Sequence, residues 1–233
     1  MRTAVIVPTF HERENLEKLI PEVFLRVPDV SVVVVDDNSR DGTVELINIL
    51  KKEFPRLFLI VRMSNRGYGH SVLEGLGWAL GEGYDQAITM DADFSHDFTQ
   101  IPAMQKYASD FVVGSRYIPG GGIENWSWYR RLLSLFSNLY VRAILGVPIH
   151  DMTTGFMLYN KVAIEKLVTS TPASEGYAFL VAGKYMLLQS GLTMVEHPFI
   201  YPERREGQSK MSWRVIWESI WMPWRLRFGK GNN

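Results

Sequence analysis

Five short runs of β-branched and apolar residues recur along the first half of the chain, at 4–7, 30–35, 57–61, 87–90 and 111–113. Unbroken apolar runs of this length suit strands buried on both faces, as in a parallel sheet covered by helices. The stretches between them, 14–24, 44–54, 71–80 and 98–107, read as helices. Strand and helix alternate, so the expected fold class is α/β, with a largely parallel central sheet flanked by helices. In such sheets ligands bind beyond the carboxyl ends of the strands. The segments lying there, 8–12, 36–42, 62–68 and 91–97, are polar and turn-prone, and a site is expected among them.

The second half is less regular. A helix is expected at 126–145, a strand at 154–159, a helix at 177–189 and a strand at 193–197. A charged loop at 202–210 and a tryptophan-rich helix follow. No repeat or low-complexity tract divides the chain. It reads as one domain, 1–211, with a terminal amphipathic helix, 212–233.

Composition narrows the function classes. Twenty-five basic and 25 acidic residues cancel, so net charge does not point to nucleic acid as a partner. The absence of cysteine excludes disulfides, thiolate nucleophiles and cysteine-ligated zinc. The apolar run at 4–7, stopped by Pro8, is too short for a signal peptide. The best spanning candidate, 132–149, is interrupted by Ser134, Ser137, Asn138, Arg142 and Pro148, so no transmembrane helix is expected.

Asp91 and Asp93 directly follow the fourth apolar run. Residues two apart in an extended chain point to the same side, so both carboxylates can reach one cation. A hard divalent ion such as Mg2+ or Mn2+ takes oxygen ligands and bridges to diphosphate. Ser95 adds a hydroxyl nearby. An Asp-x-Asp pair is equally at home in a solvated turn, and its place at a strand end is what favours the metal. Asp36 and Asp37 follow the second run in the same way. They suit either a turn that caps the next helix or a carboxylate that bonds a ribose or base.

Taken together, Val5-Ile-Val-Pro-Thr-Phe-His-Glu-Arg-Glu-Asn, Val33-Val-Val-Asp-Asp-Asn-Ser-Arg-Asp-Gly-Thr, Met90-Asp-Ala-Asp-Phe-Ser-His and Val113-Gly-Ser-Arg resemble the inverting family-2 glycosyltransferases of GT-A fold. Trp128-Tyr-Arg-Arg-Leu-Leu-Ser, Asp151-Met-Thr-Thr-Gly-Phe and Arg204-Arg-Glu-Gly-Gln-Ser-Lys are similar to the dolichyl- and polyprenyl-phosphate mannose synthase subgroup. The resemblance runs from about residue 3 to 212. It implies a hexosyltransferase using GDP-mannose, a dolichyl or polyprenyl phosphate and a divalent cation. Pro8, Phe10, Glu12, Val35 and Asp37 would line the nucleoside pocket, and Asp91, Ala92, Asp93 and Ser95 the metal and diphosphate site. Arg116, Arg130 and Ser134 would receive the acceptor phosphate, and Arg204 and Lys210 would close over the diphosphate. Asp91, Asp93 and Arg116 carry the catalytic expectation.

One departure stands out. The family carries Gln and Glu shortly after Gly-Tyr-x-Phe, whereas Gly176-Tyr-Ala-Phe is followed here by Leu180, Val181 and Ala182. The sugar is thereby left open. UDP-glucose or UDP-GlcNAc donors, and a non-catalytic nucleotide-sugar-binding scaffold, are the alternative readings.

A phosphate monoester is largely dianionic at neutral pH (second pKa about 6), so it needs no strong general base. His70, His96, His150 and His197 accordingly read as structural, and His11 is the one to test. Near the C-terminus Trp213, Ile216, Trp217, Ile220, Trp221, Trp224 and Phe228 recur at helical spacing beside Arg214, Arg225, Arg227 and Lys230. Such a stripe suits either the core or a membrane surface, and Pro223 is expected to kink or end that helix. The membrane reading makes the protein peripheral, on the cytoplasmic face of the cell membrane or endoplasmic reticulum. It would act through its own amphipathic helices, the one at 126–145 included, or with a separate membrane subunit.

Overall fold

A computed structural model describes residues 1–170, 177–202 and 213–229, with the side chains of 177 and 213–219 excepted. All five predicted apolar runs are strands. In order, β1 (Thr3–Thr9), α1 (Arg13–Arg26), β2 (Val30–Asp36), α2 (Thr43–Leu50), β3 (Leu57–Val61), α3 (Tyr68–Gly81) and β4 (Gln86–Thr89) alternate. A short 3-10 turn at Phe98–Gln100 leads into α4 (Ile101–Met104), then β5 (Phe111–Ser115) and β6 (Gly122–Ile123). The remainder is α5 (Trp128–Leu145), β7 (Met157–Asn160), α6 (Lys161–Ser170), α7 (Tyr177–Gln189), β8 (Met194–Pro198), β9 (Ile200–Tyr201) and α8 (Trp213–Phe228).

Seven strands form the main sheet in the order β3-β2-β1-β4-β7-β5-β8, and β6 pairs with β9 apart from it. Every pairing in the main sheet is parallel except those of β7, which runs against both β4 and β5. The sheet is therefore largely parallel, as expected. Because β7 reverses, β5 again points the way β4 does, and the carboxyl ends of β1, β2, β4 and β5 share one edge.

Alternation within the strands sorts the core into two layers. Val5, Val7, Val32 and Val34 face Leu16, Leu19, Ile20 and Ile47 of α1 and α2. Ala4, Ile6, Val33 and Val35 face Val72 and Leu76 of α3, with α6 and α7 completing that side. Helix α3 lies so close to β1 that a Cβ at Gly75 would stand 2.3 Å from Ile6 Cγ2, so glycine is required there.

Several expected boundaries differ. The helix expected at 98–107 is a 3-10 turn and a single α-turn, because Asp97 accepts the Thr99 N–H and Pro102 restarts the backbone. The strand expected at 154–159 spans 157–160, since Thr154 lies in a turn bound to Asp151. Helix α6 was not anticipated. Helix α8 runs through Pro223 rather than ending there.

Candidate active site

The shared edge is built from the turns that follow β1, β2, β3 and β4. Each holds a residue in the left-handed region, namely His11, Asn38, Asn65 and Phe94, with φ of 58, 58, 50 and 62°. Non-glycine residues reach this region at a cost of about 1 kcal/mol each, and such strain gathers at functional turns.

After β2, Asp36 is wholly buried and accepts both the backbone N–H and the hydroxyl of Ser39, at 2.8 and 2.6 Å. Ser39 Oγ in turn receives the His11 N–H at 2.8 Å, which ties the first two turns together. Asp37 Oδ1 takes Arg62 Nη1 at 2.6 Å and the Ser71 hydroxyl at 2.9 Å, and Oδ2 takes the Gly67 N–H at 2.7 Å. Arg62, itself buried, also grips Glu74 and the Asn65 carbonyl. The carboxylate expected to face a nucleoside thus ties the turn after β2 to Arg62, Gly67 and Ser71. Phe10 stacks on His11 with ring centroids 4.1 Å apart and is part-exposed, Glu12 accepts from Asn15, and Pro8 is half-buried. Val35 and Ala92 bury their side chains in the core, so they can offer a ligand only main chain.

After β4, Phe94 lets the chain double back so that the His96 ring lies under Asp91. His96 Nδ1 accepts the Asp91 N–H at 2.9 Å, which places its proton on Nε2, 4.0 Å from Asp91 Oδ2. Phe156, Phe199 and Tyr201 wall in the ring. Asp93 Oδ1 accepts the Ser95 N–H at 3.1 Å. Ser95 is wholly buried, and its hydroxyl has no hydrogen-bond partner among the described residues. Two carboxylates and an orphaned hydroxyl are all-oxygen donors, which fits Mg2+ or Mn2+. No cluster of three His, Cys, Asp or Glu residues able to hold a metal exists among the described residues. A cation here would therefore need diphosphate oxygens and water to complete its shell, the usual arrangement for Mg2+.

After β5, Arg116 presents its fork to Asp151, with Nε and Nη2 each 2.7 Å from a carboxylate oxygen. Burial works against charge on both groups. The pairing overrides it, raising the affinity of Arg116 for its proton and lowering that of Asp151. Nη1 has no partner among the described residues. Arg116 also lines a cavity of about 450 Å3, together with Tyr117, Ile123, Trp128, Arg131, Leu132 and Leu135. Ser134 accepts the Tyr117 hydroxyl proton at 2.6 Å, and the Arg130 guanidinium lies 3.9 Å over the Trp126 ring. Strands β4 and β5 are separated by β7 alone, so the two charged ends of the site stand roughly 10 Å apart, two strand spacings.

Arg116 thus lines the groove, Ser134 is bonded to Tyr117 of its wall, and the two aspartates share one turn. Arg130 sits exposed at the rim, and Arg131, given no role from sequence, lines the groove. Arg204 and Lys210 lie outside the described residues. Leu180, Val181 and Ala182 are buried in the core. The groups missed were Asp151, Asn138, Glu196, Lys184 and Arg62. Of these, only Asp151 stood in a quoted motif.

Helices α5 and α8 pack together beside the groove. Tyr140 donates to the Ile220 carbonyl and receives the Trp224 indole N–H, while Arg227 caps the Ile144 carbonyl. Outward from them Trp128, Tyr129, Leu132, Leu133, Phe136, Leu139, Trp221 and Phe228 are 53–74% exposed. No helix among the described residues is long and apolar enough to cross a membrane.

Known proteins are similar to this chain. A polyprenol monophosphomannose synthase from Mycolicibacterium smegmatis is 39% identical over 97% of this chain and 88% of its own length. An undecaprenyl-phosphate mannosyltransferase from Micrococcus luteus is 34% identical over 94% and 91%. Among solved structures, a mannosyltransferase from Pyrobaculum calidifontis in complex with GDP-Man and Mn2+ superposes with a TM-score of 0.65 at 18% identity, over 99% of this chain and 65% of that one. That likeness places the fold in the GT-A class. The model of the family "Glycosyl transferase family 2" matches residues 4–168, and with these relatives it establishes that the chain belongs to glycosyl transferase family 2.

Proposed function

We propose that this chain transfers a mannosyl group from GDP-mannose to a polyprenyl or dolichyl phosphate, with inversion, at a membrane surface. The observation that carries the acceptor assignment is the groove at Arg116. Arg116, its guanidinium held by Asp151, lines a cleft with Arg131 and with apolar walls running onto an exposed aromatic helix. That combination suits a phosphate with a hydrocarbon tail.

In this reading the turns after β1 and β2 hold the nucleoside, with Pro8, Phe10, Glu12 and Asp37 at its walls. Asp91, Asp93 and Ser95 would hold Mg2+ or Mn2+, which supplies charge neutralisation to the departing diphosphate. His96 fixes the Asp91 main chain, and Asp37 keeps the pocket walls in register through Arg62. Arg116 and Arg131 orient the acceptor phosphate so that one oxygen attacks the anomeric carbon from the face opposite the leaving group. That oxygen forms the new C–O bond while the old C–O pair departs with the nucleoside diphosphate. A dianionic phosphate brings its own nucleophile, and no His is among the described residues that line the groove. Catalysis then rests on positioning and charge. Arg204 and Lys210 are assigned to the diphosphate.

The exposed apolar face of α5 and α8, flanked by Arg130, Arg131, Arg225 and Arg227, is assigned to the bilayer interface, with Trp and Tyr at headgroup depth. The protein is then peripheral on the cytoplasmic side, with or without a membrane subunit. A transfer assay decides the reaction: GDP-mannose, UDP-glucose and UDP-GlcNAc are each offered with undecaprenyl phosphate, with Mn2+ and with EDTA. Mannosyl lipid formed from GDP-mannose, and lost in EDTA, supports the assignment. Transfer from a UDP-sugar alone, or none from any donor, overturns it.

A further inference from the structure

A second buried cation lies beneath the Arg116–Asp151 pair. Lys184, just past the middle of α7, is 2% exposed. Its ammonium donates to the carbonyls of Thr154 and Met152 at 2.7 and 3.1 Å and more weakly to Leu180, one turn earlier in its own helix, at 3.4 Å. All three acceptors are main-chain carbonyls. An apolar side chain could fill this place without the several kcal/mol that an ammonium group loses when it leaves water. A fold that keeps a lysine here uses its charge or its donors.

The turn 151–154 is gripped from four sides. Arg116 holds the Asp151 carboxylate, and Glu196 on β8 accepts the N–H groups of His150 and Asp151 at 3.0 and 3.1 Å. Asn138 on α5 accepts the Met152 N–H at 2.8 Å. Each of these fixes a carboxylate or an N–H, whereas Lys184 fixes the carbonyl side. We propose that Lys184 is a positioning residue for the acceptor half of the site: held on the Met152 and Thr154 carbonyls, it fixes the turn whose Asp151 carboxylate aims Arg116 at the acceptor phosphate. This rests on the reading of Arg116 as the phosphate receptor.

The charge balance supports the same role. Arg116 and Lys184 offset Asp151 and Glu196, so the buried group is neutral while Lys184 keeps its proton. Burial, with a smaller contribution from Arg116, lowers the Lys184 pKa to about 7, against the opposing pull of Asp151 and Glu196. His150, directly before this turn and bonded to Glu196 at 2.6 Å, is a further titratable group beside Asp151 and Glu196. Helices α3 and α6 meet α7 through Gly69 against Phe179 and Leu167 against Gly183. Loss of the Lys184 proton would leave one excess negative charge facing an anionic acceptor.

The test compares wild type, Lys184→Met, Lys184→Gln and Arg116→Lys as full chains, with GDP-mannose, Mn2+ and undecaprenyl phosphate in detergent. Lys184→Met is expected to raise the acceptor KM roughly tenfold through misplacement of Arg116, with the donor KM unchanged. Lys184→Gln keeps N–H donors without a titrating group. It should raise the acceptor KM less and abolish the fall in acceptor kcat/KM expected of wild type above about pH 7. Arg116→Lys tests the underlying reading separately, because an unchanged acceptor KM there removes Arg116 from the acceptor site. If Arg116→Lys raises the acceptor KM while Lys184→Met leaves it alone, or raises donor and acceptor KM equally, the Lys184 proposal is overturned and the Arg116 reading stands. Should neither lysine variant fold, wild type decides. A fall in acceptor kcat/KM between pH 7 and 9 at constant donor KM sustains the proposal, and a flat profile overturns it.

Discussion

Replacing Asp151 with asparagine changes one atom and removes the partner of a buried guanidinium. Asp151 is wholly buried. Its Oδ2 accepts from Arg116 Nε and the Arg116 N–H, and its Oδ1 from Arg116 Nη2, the Thr154 N–H and the Thr153 hydroxyl. An asparagine turns one of those oxygens into an NH2, so in either orientation at least two donors face a donor. Arg116 is 8% exposed and cannot recover its hydration. Breaking a buried pair from one side costs about 3–5 kcal/mol. At roughly 2–4 °C per kcal/mol for a domain of this size, Tm should fall by roughly 6–20 °C. The companion variant, Arg116→Met with Asp151→Leu, removes both charges and should recover stability to within about 2 kcal/mol of wild type. It should still have lost its grip on the acceptor phosphate. Urea unfolding and acceptor KM, measured on both variants, separate the two roles. A loss under about 1 kcal/mol in Asp151→Asn would refute the buried-pair reasoning. A normal acceptor KM in the double variant would refute the assignment of Arg116.

Three further outcomes are expected. His96→Phe keeps the stack on Phe156 but withdraws the acceptor from the Asp91 N–H, so the Mn2+ concentration giving half-maximal transfer should rise roughly tenfold with little change in fold. Leu132→Glu combined with Phe136→Glu, both on the exposed face of α5, should abolish flotation with anionic vesicles while the circular dichroism spectrum stays unchanged. Lys184 makes stability depend on pH with a definite sign. Its folded pKa of about 7 lies below the ordinary 10.5, so between these values the unfolded chain binds the extra proton and stability rises with pH. Wild type should gain on Lys184→Met by up to about 1.4 kcal/mol per pH unit across that window, read from urea unfolding at pH 7 and 9.

The first half of the fold was legible because each strand there is a block of β-branched residues closed by a polar turn, β2 most clearly, with valine at five of its seven positions. The direction of β7 was not legible, since a buried antiparallel strand has the same composition as a parallel one. Helix α6 begins directly after β7 with no glycine or proline between them. Its one readable signal was Asn160, whose side chain accepts the Ala163 N–H as a cap. Strands β6 and β9, two residues each, carry no periodicity.

The site divides in the same way. Asp91 and Asp93 could be picked out because they follow a strand, where topology directs ligands, and Arg116 through the motif that carries the family resemblance. The groups that hold them could not, because their partners are distant in sequence. Asp151 meets Arg116 from 35 residues away, Glu196 meets His150 from 46, and Lys184 meets Met152 from 32. Such pairings exist only once the sheet has brought β5, β7 and β8 together. The substitution of Leu180 and Ala182 for polar residues looked like a change in the site, and both side chains lie in the core, where apolar groups pack.

A crystal soaked with GDP-mannose and Mn2+ and recorded at the manganese absorption edge measures the central arrangement directly. One anomalous peak coordinated by Asp91 or Asp93 and by the donor diphosphate, with the hexose extending toward Arg116, is the expected result. Manganese bound elsewhere, or a diphosphate seated away from the turn after β4, would contradict it.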